Sequence, residues 1–139
     1  MAKRKCTIPR SVQSISLTWQ DAHIRHRFSD FSVRRYKGEI VWGGGLQPNL
    51  TSPIYQIEIR YRLREVPKVR VIAPPLAPKA PHLYSNGTLC LYWPKEWRWR
   101  QDQLIADTII PWAATWLYYY ELWLDTDKWL GPSSHDRQD

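Results

Sequence analysis

Residues 54–64, IYQIEIRYRLR, alternate apolar and polar positions: Tyr55, Ile57, Ile59, Tyr61 and Leu63 against Gln56, Glu58, Arg60, Arg62 and Arg64. A period of two predicts a strand with one face in a core and the other in water. KVRVI at 68–72 repeats the habit after Pro67 and predicts a further strand. FSVRRYKGEIVW at 31–42 predicts a strand with Tyr36, Ile40 and Trp42 on one face, broken by a wide turn or bulge at Gly43-Gly44-Gly45. At 8–26 the period lengthens. Val12, Ile15, Trp19, Ala22 and His26 recur at three- or four-residue steps and predict a helix with that face inward, although its serines and threonines weaken the pattern. The second helical pattern covers 102–124, with Ile105, Ile109, Trp112, Trp116, Tyr119 and Trp123 as its apolar face. Asp102 is the expected cap, Pro111 kinks this helix or starts a second one, and Gly131-Pro132 is a stop signal. Between strands and helix lies APPLAPKAP at 73–81, whose prolines at 74, 75, 78 and 81 exclude helix and central strand. It is a stiff extended connection leading to His82. Helix, three or four strands, stiff connection and helix together predict an α+β domain, an antiparallel meander sheet flanked by helices.

Composition narrows the setting. At 139 residues the chain suits one domain, and nine tryptophans supply large buried areas for its core. The ends, about 1–8 (basic) and about 132–139 (polar), read as tails. With two cysteines, Cys6 and Cys90, and no CxxC pair, neither a disulfide framework nor a zinc site is expected, and a reducing cytoplasm is the expected location. The apolar run at 105–124 is long enough to span a membrane, but Asp107, Pro111 and Glu121 make a buried helix the better reading. The net charge of +7 is uneven: residues 1–70 hold 14 Lys and Arg against 5 Asp and Glu, and residues 71–139 hold 6 against 8. A basic half faces either water or an acidic partner, protein or nucleic acid. Aromatics on a basic sheet keep single-stranded nucleic acid as an alternative, yet no stacking motif of the RNA-recognition kind is present.

Candidate chemistry concentrates in APHLYSNGTLCLYWP at 80–94. A cysteine nucleophile needs access, a thiolate and donors for the oxyanion that forms on its acyl carbon. Asn86-Gly87 makes a tight turn just before Cys90, and glycine lets the backbone fold close to the sulfur. His82 stands across that turn, where a chain doubling back brings its imidazole toward the thiol. A free cysteine is equally a favoured core residue, so spacing alone leaves both readings open.

The stretch PKVRVI…APHLYSNGTLCLYWPKEWRW resembles the active-site region of the ubiquitin-conjugating enzymes. Val66-Pro67-Lys68-Val69 stands for that family's Pro-Pro-Lys-Val strand. Asn86-Gly87-Thr88-Leu89-Cys90-Leu91 matches its cysteine element, and Trp97 or Trp99 its later tryptophan. Counting back from Cys90, Ala80-Pro81-His82 falls on the His-Pro-Asn signature. The proline is kept, the histidine is alanine, and His82 takes the place of the asparagine that supports the oxyanion. This pattern, with His135-Asp136 near the C-terminus, looks like the bacterial members of that family found beside cyclic-oligonucleotide synthases in the antiphage systems called CBASS.

The resemblance implies a single domain of the ubiquitin-conjugating (UBC-like) type over 1–139, with its active-site cysteine after the last strand. It implies Cys90 as the thioester-forming nucleophile and His82 as oxyanion donor or base. Tyr84 and Tyr92 flank the site as walls of a groove for a partner's tail, or as core aromatics, and His135-Asp136 is a candidate base. The implied partner is a cGAS-like nucleotidyltransferase, captured by its C-terminus, with an activating enzyme encoded elsewhere. No cofactor, metal or membrane is implied. A scaffold of the same fold that works by complex formation alone is the alternative.

Overall fold

The computed structural model describes residues 14–132. Helix α1 spans Leu17–Arg27; strands β1 Ser32–Tyr36, β2 Glu39–Leu46, β3 Tyr55–Arg62 and β4 Lys68–Ala73 follow; helix α2 spans Ile109–Thr126. The strands form one antiparallel meander in the order β1-β2-β3-β4. The register places Ile40 opposite Tyr61, Trp42 opposite Ile59, Gly44 opposite Ile57 and Leu46 opposite Tyr55. One sheet face is therefore apolar, and Ile24 of α1 with Ile109, Ile110, Ala113, Leu117 and Tyr120 of α2 shares its core. Among the described residues no helix is long and apolar enough to cross a membrane.

The other sheet face is polar and its charges are paired. Glu58 bonds Arg34 at 3.2 Å and Arg60 at 2.9 Å, while Glu39 meets Arg60 at 3.3 Å and Arg62 at 3.8 Å. Two carboxylates thus hold three of the arginines that make the first half basic.

Several expectations change. Residues 31–42 are two strands, turning at Lys37-Gly38, where Gly38 takes φ 69°. Tyr36 accordingly belongs to β1 and is exposed, not aligned with Ile40 and Trp42. The glycine run does not break the strand but lies inside β2. Phe31 covers Gly44 so closely that a Cβ there would collide with its ring, so glycine makes room for an aromatic side chain. Leu63 lies beyond the end of β3 and is exposed.

Helix α1 begins at Leu17, capped by Ser16, whose Oγ accepts from the Trp19 N–H at 3.1 Å. Its inward face is Gln20, Asp21 and Ile24, whereas Trp19, Ala22 and His26 are exposed. The polar residues are inside because each is bonded there. Gln20 donates to the Gln103 carbonyl at 2.7 Å and accepts from the Ile105 N–H at 3.0 Å. Asp21 accepts from Trp42 Nε1 at 2.9 Å and pairs with Arg25 at 3.1 Å and Arg35 at 3.5 Å. Residues 8–13 of the expected helix, with Val12, lie outside the described residues.

Asp102 does not cap a helix. It accepts from Arg100 at 3.1 Å within a run of turns, and the helix starts at Ile109. Pro111 sits in the first turn, where the N–H it lacks would have no intrahelical partner. After the left-handed cap at Asp127 (φ 61°) the chain folds back, so that Trp129 packs against Trp116 at a ring distance of 5.5 Å.

Candidate functional site

Beyond β4 the chain forms a small hairpin from His82 to Cys90. Leu83 and Leu89 pair as an antiparallel bridge, and the Cys90 N–H donates to the His82 carbonyl at 3.0 Å. His82 and Cys90 thus face each other across the hairpin's base. Its tip is closed by the sequence itself. The Gly87 N–H donates to the Tyr84 carbonyl at 2.9 Å, and Gly87 takes φ 88°, a region open to glycine. Asn86 Oδ1 accepts from the Thr88 N–H at 3.0 Å and from Thr88 Oγ1 at 2.7 Å. The hairpin is tied to the sheet by the Leu89 N–H, which donates to the Val69 carbonyl at 2.9 Å, and by Arg70, which donates to the Asn86 carbonyl. Leu89 is buried in the core, so the backbone on both sides of the sulfur is fixed.

His82 has φ 58°, in the left-handed region that asparagine enters more readily than most residues. Its carbonyl also accepts from Trp116 Nε1 at 3.1 Å, and its ring packs on Trp129 at 4.7 Å.

Cys90 is half-buried and unoxidised. Burial pushes its thiol above the usual value, and a hydrogen bond from Tyr84 acts in the opposite direction. Tyr84 is itself raised, first by burial and then by the proximity of the Cys90 charge. The resting sulfur is therefore a protonated thiol at neutral pH, with a phenol positioned to stabilise the anion when it forms.

Two concavities lie by the hairpin, and Cys90 lines the first of them. One, of about 440 Å³, is lined by Cys90 and His82 with the rings of Trp97, Trp112, Trp116, Tyr119 and Trp129. It is rigidly built: Trp97 meets Trp112 edge-on at 4.7 Å, and Tyr92 at 4.6 Å. The other is a groove of about 770 Å³ walled by Tyr84, Leu89, Tyr92 and Trp97, running toward Lys68, Lys95 and Arg98. Tyr84 and Tyr92 both line this groove, and Asn86 borders it. Sequence reasoning reached them but missed the aromatic cavity. Trp112, Trp116 and Tyr119 were counted as a core stripe; Trp116 is buried in the core and also lines the cavity, whereas Trp112 and Tyr119 are only half-buried. His135 and Asp136 lie outside the described residues.

The fold and hairpin fit a small α+β protein that presents one cysteine beside a groove. The chain belongs to the family of Type II CBASS E2 proteins, whose family model matches residues 20–136. The protein is thus an E2-like component of a CBASS antiphage system. A search of the curated proteins finds no match.

Proposed function

We propose that Cys90 is the acyl-carrying nucleophile of this protein and that it takes the C-terminal carboxylate of a partner, a cGAS-like nucleotidyltransferase, as a thioester. The observation that supports this most directly is the position of Cys90 at the base of its hairpin, opposite His82 and lining the cavity, with its neighbours Leu89 and Leu91 lining the groove. In the loading step the Cys90 thiolate attacks the partner's terminal carbonyl carbon, already activated as a thioester on an activating enzyme. The new C–S bond forms, the old one breaks, and the departing sulfur takes up the proton that Cys90 gave up. His82 serves this step as base or as oxyanion donor, the part that asparagine plays in ubiquitin-conjugating enzymes. Tyr84 and Tyr92 hold the tail in the groove, and the Asn86-Gly87 turn keeps the sulfur at its mouth. His135-Asp136, shortly after the cavity-lining Pro132, is a further candidate base.

The test is direct loading. Purified protein is mixed with a peptide α-thioester and followed by intact mass. The expected product is the protein plus the peptide acyl group, sensitive to thiols and absent in Cys90→Ala. Failure of the wild-type protein to load would refute the proposal.

The raised thiol pKa favours one alternative: a scaffold that holds the partner's tail without bonding it. In that case Cys90→Ala leaves partner binding and activation in cells intact.

A further inference from the structure

We infer that the groove beside Cys90 selects an acidic peptide, so that the tail delivered to the sulfur carries Asp or Glu shortly before its terminal carboxylate. The inference rests on the reading of Cys90 given above and adds the chemistry of the partner segment.

The groove's charge is one-sided. Lys68 at the start of β4, with Lys95 and Arg98 from the segment after the hairpin, line it, and no carboxylate does. Glu96, between the two cations in sequence, lines the cavity on the other side. The contrast with the sheet is informative. There Arg34, Arg60 and Arg62 each pair with Glu39 or Glu58. Among the described residues no carboxylate lies within ion-pair distance of Lys68, Lys95 or Arg98. Lys95 lies over the Trp93 ring at 5.9 Å, an aromatic partner that leaves its charge in place. Cations along an apolar trough that no described carboxylate pairs are complementary to an anionic chain.

A single-stranded nucleic acid is the other polyanion to weigh, but it needs free aromatic faces for its bases. Here the rings are engaged: Trp97 meets Tyr92 at 4.6 Å and Trp99 at 6.5 Å, and Trp99 meets Tyr61 at 5.7 Å. Tyr84, 47% exposed, is the lining ring with most free surface, and a single ring gives successive bases no stacking platform. An extended peptide needs no stacking and fits the trough.

The experiment titrates rhodamine-labelled peptides against the full chain carrying Cys90→Ala, so that no covalent step contributes. One peptide alternates glutamate with small apolar residues and ends in a free carboxylate; a second has glutamine for glutamate. The glutamate peptide is expected to bind about fivefold more tightly at low salt, as a few exposed ion pairs allow. Raising salt should shrink that margin. Lys68→Ala/Lys95→Ala/Arg98→Ala should abolish it, whereas Lys37→Ala/Lys79→Ala/Lys128→Ala, which removes the same charge elsewhere, should keep most of it. Equal binding of the two peptides, equal loss in both triple variants, or tighter binding of an oligothymidylate that the groove variant abolishes would overturn the inference. Failed loading of Cys90 with the glutamate preference intact would sink the acyl-transfer reading alone. Loading without that preference would sink this inference alone.

Discussion

Cys90 holds its proton more tightly than an ordinary thiol because burial penalises the thiolate more than Tyr84 stabilises it. The sign for reactivity follows. Since the thiolate is the nucleophile, alkylation of Cys90 should be slow at neutral pH and keep rising above the usual thiol range. Tyr84→Phe removes the one contribution that lowers the pKa. In a Cys6→Ser background it should slow iodoacetamide labelling of Cys90 by roughly fivefold at a fixed pH below the pKa, the equivalent of one hydrogen bond. Equal or faster labelling of the variant would show that the phenol does not stabilise the anion. At this scale much was legible. Asn86, Gly87 and Cys90 announced a turn and a fixed sulfur, and they form one. What could not be read was the environment of the thiol, because burial and the approach of Tyr84 depend on residues brought in from β4, α2 and the segment after the hairpin.

Among the elements, β3 and β4 could be read from their alternation because each buries one face and wets the other. The errors have definite physical causes. Helix α1 buries Gln20 and Asp21 through bonds to the distant Gln103, Ile105 and Trp42, and no local pattern encodes partners 21 to 85 residues away. Gln20→Leu leaves the Ile105 N–H buried without its acceptor. It should cost about 1–3 kcal/mol in urea denaturation. Trp19→Ala, on the face the pattern favoured, should cost under about 0.5 kcal/mol, because Trp19 is 58% exposed. The reverse ranking would mean that the helix is turned the other way. Gly44 was mistaken for a strand breaker because its reason is the Phe31 ring above it. Gly44→Ala should therefore destabilise by about 1–3 kcal/mol through overpacking, and a neutral result in the same denaturation would contradict that contact.

For the whole molecule, composition suggested a basic half open to polyanions, and the fold places three of its arginines on the sheet, where they pair with Glu39 and Glu58. The groove takes Lys68 from that half and Lys95 and Arg98 from the other, none with an ion-pair partner among the described residues. Glu39→Gln/Glu58→Gln should therefore release the sheet arginines. Affinity for an oligothymidylate should rise a few-fold, and the salt dependence should steepen by about one to two phosphate contacts. Wild-type protein that already binds as tightly as this variant, by fluorescence anisotropy at low salt, would show the sheet to be a nucleic-acid surface as it stands. The family match over residues 20–136 accords with the protein tail proposed above as the ligand of the site.

The proposal that Cys90 carries a partner's C-terminus is tested most directly by co-expressing this protein with the proposed partner, a cGAS-like nucleotidyltransferase, and an activating enzyme. Intact mass after non-reducing purification should show a species equal to both chains less one water, cleaved by thiol and absent in Cys90→Ala. With Cys90→Ser the corresponding ester adduct, lighter by the exchange of sulfur for oxygen, should survive thiol and yield to hydroxylamine. An adduct that persists in Cys90→Ala, or none in the wild-type protein while the partner is nonetheless activated, would contradict the account.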